Sequence, residues 1–256
     1  MSSYSYSQLQ AAYKCNRYYK LLYIDKLDPG GQESADLVFG SSFHHALEEY
    51  LLHGNDPIEA FHIYWDTEKD KVNYGRYNKL HLEEVAAILL DRFVRLHAKK
   101  ITVTSMEQRL YGTYGVGTNT VKLEGTPDVV GLYKDIPSII DFKTAAYRYD
   151  KDLITVNPQM YLYAHLAQQN GFKVEQVVYQ VFIKSKEPSI QVLTAPIKYD
   201  EMNKMLDNVM IQCKELDKKK ESGEWSYNPA SCIQGQRKCE FFDHCWGNKK
   251  GSDDNE

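Results

Sequence analysis

Apolar positions recur at helical spacing through the first hundred residues and then change to alternation. Tyr6 to Leu22 repeats apolar and aromatic residues with a helical period and carries Lys14, Arg17 and Lys20. A second helix is expected to begin near Ser41 or Ser42, to run through Phe43, Ala46, Leu47, Tyr50 and Leu51, and to stop at Gly54. Asp56-Pro57 opens a third, from Ile58 to about Asp66, and Leu80 to Leu96 is amphipathic, with Val85, Ile88, Leu89, Phe93 and Leu96 on one face. From Ile101 the residues become rich in Val, Ile, Thr and Tyr. Ile101–Tyr111, Thr120–Tyr133 and Ser138–Phe142 are predicted as three successive strands. Asn157-Pro158 opens a helix ending at Gly171, Val174–Ile183 and Ile190–Thr194 are further strands, and Asp200 is the expected N-cap of a last helix reaching about Glu221. The order is helix, three strands, helix, strand, with helices added before and after, which is an α/β sheet with helical cover.

Neither an internal repeat nor a Pro/Gly-rich linker divides the chain, so a single domain over residues 1–250 is expected, followed by a disordered acidic tail over 251–256. No apolar run approaches the ~20 residues that span a bilayer. The opening MSSYSYSQLQ has no signal pattern, so a cytoplasmic location is expected. A formal net charge of −4 excludes a generally basic nucleic-acid binder and leaves only local patches. Lys14, Arg17, Lys20 and Lys26 form one patch; Arg92, Arg95, Lys99 and Lys100 form another; Arg148, Lys151 and Lys218 to Lys220 add more. Tyr13, Tyr18, Tyr19, Tyr23, Tyr147 and Tyr149 interleave with these basic residues, and aromatic rings can stack on unpaired bases.

The stretch LEGTPDVVGLYKDIPSIIDFKTA carries the chemistry. Asp128 lies in the second predicted strand. Asp141 and Lys143, two apart at the end of the third, share a face, while Phe142 points away. Two carboxylates on neighbouring strands can supply hard oxygen ligands to Mg²⁺ or Mn²⁺, and a lysine beside them can orient an attacking water and neutralise phosphorane charge. Taken alone, an Asp and a Lys at a strand end more often form a weak surface ion pair.

Pro127-Asp128 followed after a hairpin-length interval by Asp141-Phe142-Lys143 resembles the PD-(D/E)XK nuclease superfamily in its RecB-like branch. That resemblance implies a restriction-endonuclease-like core with a mixed central sheet. Gly40-Ser41-Ser42-Phe43-His44 fits the branch's Gly-x-x-x-His, which implies His44 as a metal ligand with Asp128, Asp141 and the Phe142 carbonyl; His45 is displaced by one residue. Gln159-Met160-Tyr161-Leu162-Tyr163 fits its Gln-x-x-x-Tyr, and the i,i+4 spacing places Gln159 and Tyr163 on one helical face toward substrate. Without the resemblance, His44 is a packed or exposed imidazole and Tyr163 a core residue. Asp141 stands where many members have Glu, and Thr144 follows in the branch's D-x-K-T pattern.

Five cysteines form an odd set, unsuited to a closed disulfide framework. Cys15 near the start, with Cys232, Cys239 and Cys245 near the end, is similar to the iron–sulfur-stapled nucleases of the AddB type and of CRISPR spacer acquisition, which implies a 4Fe–4S cluster tying together flanks 1–40 and 200–250. Asn16 replaces a proline, and the downstream spacing C-x6-C-x5-C is wider than the commonest form. Zn²⁺ and unligated buried thiols stay open as alternatives. Cys213 falls in a helical pattern with Met205, Leu206, Val209 and Met210 and is assigned to packing.

The resemblance implies a Mg²⁺- or Mn²⁺-dependent deoxyribonuclease, exonucleolytic on single-stranded DNA or DNA ends, with catalytic Asp128, Asp141, Lys143, Gln159 and Tyr163. Its setting would be recombination, repair or spacer processing. No Walker A pattern is present, so a helicase would be a separate partner. Two competitors of other classes are a non-catalytic DNA-binding subunit that keeps the fold and a zinc-stabilised interaction protein.

Overall fold

The computed structural model describes residues 3–30, 33–70, 72–75, 78–235 and 237–247, so the expected acidic tail lies outside the described residues. The chain divides into two compact units. One contains Met1–Ser3 and Gln32–Met210, the other Tyr4–Gly31 and Ile211–Glu256. Among the described residues no helix is long and apolar enough to cross a membrane.

After a two-residue strand, β1 (Ser3–Tyr4), come α1 (Tyr6–Lys14), α2 (Asn16–Tyr19) and a π-helical turn over Lys20–Ile24. The single helix expected over Tyr6–Leu22 is therefore broken, because Cys15 is extended at φ −170°. Three helices follow: α3 (Ala35–His53), α4 (Pro57–Glu68) and α5 (Lys79–Leu96). α3 starts earlier than expected, capped by the Ser34 side chain, and ends as expected at Gly54, whose left-handed φ of 72° a side chain would resist.

The three strands expected next are five: β2 (Ile101–Met106), β3 (Leu110–Val116), β4 (Asn119–Gly125), β5 (Val129–Tyr133) and β6 (Ile136–Ala145). Glu107 splits the first predicted strand by turning into a left-handed conformation at φ 50°, and Thr126-Pro127-Asp128 interrupts the second. Asp128 thus sits in the bend before β5 rather than inside a strand. α6 (Leu153–Val156) and α7 (Pro158–Gln169) lead to β7 (Gln176–Ile183), β8 (Ser189–Pro196) and α8 (Tyr199–Ser222). Asp200 lies in the first turn of α8 rather than capping it.

In the first unit five strands form one sheet in the order β2-β5-β6-β7-β8. β6 and β7 are parallel, joined by the crossover through α6 and α7, and the other pairs are antiparallel. This is the mixed sheet of the restriction-endonuclease-like fold. The central strand β6 reads IPSIIDFKTA, nearly continuous in apolar character, as expected of a strand covered on both faces. Phe142 points toward α3 and α5, where Phe43 and Phe182 lie 4.6 Å apart and Phe93 lies 6.0 Å from Phe142. Asp141 and Lys143 point to the opposite face, where α7 packs.

The second unit joins α1 and α2 to the C-terminal part of α8 and to α9 (Phe242–Trp246). Tyr4 is fully buried, its hydroxyl bonded to Asp217 and receiving a 2.8 Å hydrogen bond from Lys220. Lys220 is therefore engaged rather than belonging to a wholly solvated lysine run. Lys14 pairs with Glu240 at 2.9 Å, and Asn228 donates to the Lys14 carbonyl at 2.8 Å.

Candidate active site

Asp128 and Asp141 sit side by side because Val129 of β5 is in register with Ile140 of β6. The Phe142 N–H donates to Asp128 Oδ2 at 2.5 Å, which fixes that carboxylate across the strand pair. Both carboxylates are buried, at 8% and 1% exposed. Burial raises the pKa of each, and repulsion from Asp141 pushes Asp128 further up, to about 7.

His44, following Phe43 on α3, brings Nδ1 to 3.6 Å from Asp128 Oδ1 and 4.0 Å from Glu107 Oε1. Burial works against a charged imidazole here, but Asp128, Glu107 and Asp141 outweigh it and raise its pKa. Lys143 Nζ lies 2.6 Å from Asp141 Oδ2. Burial likewise opposes the ammonium, and the two aspartates more than compensate, so its pKa is raised.

Ligand atoms of His44, Glu107 and Asp128 all lie within 4.8 Å of one another. An imidazole and two carboxylates converging beside a third carboxylate, Asp141, suit a hard divalent ion such as Mg²⁺ or Mn²⁺. The grouping differs from the expected one. Asp141 is turned to Lys143, and Glu107 stands in the cluster instead. Sequence reasoning missed Glu107 because it belongs to no spaced motif. Its position depends on the turn after β2, where its N–H donates to the Asp128 carbonyl at 3.0 Å. An acid directly after an alternating β strand is the one sequence signal it leaves. His45, as its displacement from the motif suggested, lies apart, its ring 6.2 Å from Tyr64.

On the opposite side, Asn157 caps α7 by accepting from the Gln159 N–H, and Gln159 Nε2 donates to the Tyr163 hydroxyl at 3.0 Å. Tyr163 is 8% exposed, and its phenol is raised to about 12, chiefly by burial. It fits because the adjacent strand residue is Gly125, where an added Cβ would stand 2.6 Å from Tyr163 Cε1. Gly125→Ala is therefore expected to lower stability by about 1–3 kcal/mol, read as a lower denaturation midpoint, through displacement of the ring. A midpoint equal to wild type would show that the ring yields without cost.

The four cysteines singled out in the sequence are free thiols in the second unit and line one pocket there, with Tyr18, Tyr227 and Trp246. Trp246 Nε1 donates to Cys232 Sγ at 3.4 Å. Among the described residues no three of the cysteine sulfurs come within 4.8 Å of one another. Burial raises the thiol pKa of Cys239 and of Cys245. Cys213 is fully buried, in agreement with a packing role.

The profile of the PD-(D/E)XK nuclease superfamily matches residues 3–245. The chain belongs to that superfamily. A search of curated proteins finds no match. Among solved structures, a protein from Eubacterium rectale named "putative exonuclease" is similar with a TM-score of 0.62 at 14% identity, over 99% of this chain and 91% of that one. At that identity the likeness concerns the fold. The structure of SSO0001 aligns at a TM-score of 0.31 and 12% identity, over 80% of this chain and 85% of that one, and supports no conclusion. The chain thus brings Asp128, Asp141 and Lys143 together at the junction of β5 and β6, with His44 and Glu107 approaching from α3 and the turn after β2.

Proposed function

We propose that this PD-(D/E)XK nuclease is a RecB-like, Mg²⁺- or Mn²⁺-dependent deoxyribonuclease that degrades single-stranded DNA or DNA ends exonucleolytically. The observation that carries it is the convergence of His44, Glu107 and Asp128 ligand atoms beside the Asp141–Lys143 pair. His44, Asp128, Asp141 and the Phe142 carbonyl would hold the ion, with Glu107 added to them. When bound, the divalent cation supplies Lewis acidity at the phosphodiester. Lys143, ion-paired with Asp141, carries three N–H donors that can serve an attacking water and a phosphate oxygen. Gln159 and Tyr163, locked together by their hydrogen bond, present amide and phenol groups to the strand from α7. Metal-dependent loss of end-labelled single- or double-stranded DNA, followed over time on a gel with and without Mn²⁺, tests the proposal. No cleavage in either substrate would favour a non-catalytic DNA-binding subunit.

Cys15, Cys232, Cys239 and Cys245 are proposed to bind a 4Fe–4S cluster, supported by four free thiols lining one pocket. Zinc at a Zn–S distance of about 2.3 Å draws its sulfurs to within about 3.8 Å of one another, tighter than this pocket holds them. Brown protein with an absorbance band at roughly 400–420 nm, and iron and sulfide in equal amounts, is the expected result for anaerobically purified material. Colourless anaerobic protein containing zinc would reject the cluster. Recombination, repair and spacer acquisition are the processes such an enzyme would serve, with any helicase supplied as a separate chain.

A further inference from the structure

The single parallel pair of the five-stranded sheet has an open pocket at its carboxyl end. Ala146, Tyr147 and Arg148, just beyond β6, form one wall; Ser185, Glu187 and Pro188 after β7, with Ser189 opening β8, form the other; Arg92 of α5 closes it. Open α/β sheets bind ligands outside the carboxyl ends of their strands, where successive connections diverge. Here β6 leaves toward α6 and α7, whereas β7 turns directly back into β8. The volume is about 520 Å³, within the range of small-molecule sites.

Its lining combines an aromatic ring with basic side chains. Tyr147 is 74% exposed, an aromatic ring offered to solvent on the rim. Arg148 is exposed beside it, and the Arg92 guanidinium donates to the Pro188 carbonyl, which sets the opposite wall while keeping its charge in the pocket. Two guanidiniums face one carboxylate, that of Glu187.

The turn bearing Tyr147 is fixed in place. Gln191 of β8 accepts from the Tyr149 N–H at 2.8 Å and donates to the Tyr149 carbonyl at 2.9 Å, so one amide holds both polar groups of that peptide position. Tyr149 meets Tyr179 edge-on at 6.2 Å, and Tyr179 is the register partner of Asp141, so the turn leaves on the catalytic face. Tyr147 follows Lys143 by four residues, within about 13 Å at ~3.3 Å per extended residue.

We propose that this turn and pocket form a subsite for one nucleotide of a single DNA strand near the scissile phosphate, with its base on Tyr147 and its phosphate on Arg148. The proposal rests on the nuclease assignment for its position on the substrate path, but binding can be read without cleavage.

The full chain and its Tyr147→Ala, Tyr147→Trp and Arg148→Ala variants are compared on an end-labelled 20-nucleotide single strand with Mn²⁺. The same strand bearing 2-aminopurine is titrated with Ca²⁺ in place of Mn²⁺. Loss of one base stack is expected to raise KM about ten-fold in Tyr147→Ala, to leave kcat within about two-fold, and to be reversed in Tyr147→Trp. The Tyr147→Ala deficit should vanish on a strand of abasic residues and be absent on duplex. Arg148→Ala should weaken binding and reduce the salt slope by about 0.7. Where wild type cleaves, an unchanged KM in Tyr147→Ala and an unchanged salt slope in Arg148→Ala would overturn the subsite and leave the nuclease assignment standing. A deficit equal on abasic or duplex DNA would also overturn it. If wild type binds but does not cleave, the nuclease assignment fails; Tyr147-dependent quenching of 2-aminopurine then supports the subsite, and its absence removes both.

Discussion

Asp141→Ala is expected to lower metal-dependent cleavage of end-labelled DNA by about a thousand-fold while the protein melts at or above the wild-type temperature. The activity loss follows from removing one of the three carboxylates proposed to share the cation, a contribution of several kcal/mol, of which about 4 kcal/mol corresponds to that factor. The stability expectation has a separate cause. Asp141 is 1% exposed beside Asp128, and burial makes its charged form costly. Alanine removes that buried charge, and Lys143, its side chain 30% exposed, can hydrate its ammonium once the partner is gone. Melting curves and gel assays on the same preparation separate the two effects. A variant that cleaves at even a tenth of the wild-type rate would sink the assignment of Asp141 to the site, and one that fails to fold would sink the electrostatic account of its burial.

The largest loss of stability is expected from Phe182→Ala. Phe182 is fully buried on β7 and meets three other rings: Phe43 of α3 at 4.6 Å, Phe93 of α5 at 5.9 Å and Phe142 of β6 at 6.1 Å. Deleting it empties the place where two helices grip the central strands. The cost should be about 3–5 kcal/mol, lowering the unfolding midpoint by roughly 10 °C. Phe182→Leu keeps most of the volume and should cost less than about 1.5 kcal/mol. Equal losses in the two variants would show that ring geometry, and not filled space, is what the helices require. Activity below the lowered midpoint should fall only modestly, because the Phe142 N–H that holds Asp128 belongs to the backbone of β6.

The sequence was most legible where chemistry repeats at fixed local spacing. Asp141 and Lys143 lie on one face of one strand, and Gln159 and Tyr163 on one turn of one helix, so a period of two or of four suffices to place them. His44 was legible through its distance from Gly40, though what it meets depends on α3 packing against the sheet. Glu107 was not legible, since it reaches the site through a left-handed turn without glycine and a backbone bond to Asp128 from another strand. The same turn explains why the first predicted strand is two. Non-glycine residues with positive φ leave no compositional mark, and Thr126-Pro127, which divides the second, falls inside an otherwise β-rich run. Cys15 and the three later cysteines were associated by residue type and by resemblance. Their common pocket depends on segments brought together from opposite ends of the sequence.

That arrangement has a consequence for synthesis. Tyr4–Gly31 is synthesised well before the segment that completes its unit, which begins only at Ile211. At roughly 5–20 residues per second, the early segment waits about 10–40 seconds for its partner. During that interval the residues that form the five-stranded sheet are made, and no further cysteine appears before Cys213. The four-thiol pocket exists only in chains translated through Cys245. A chain stopping before Cys245 would lack that sulfur, so the fourfold thiol lining requires both of these distant segments together.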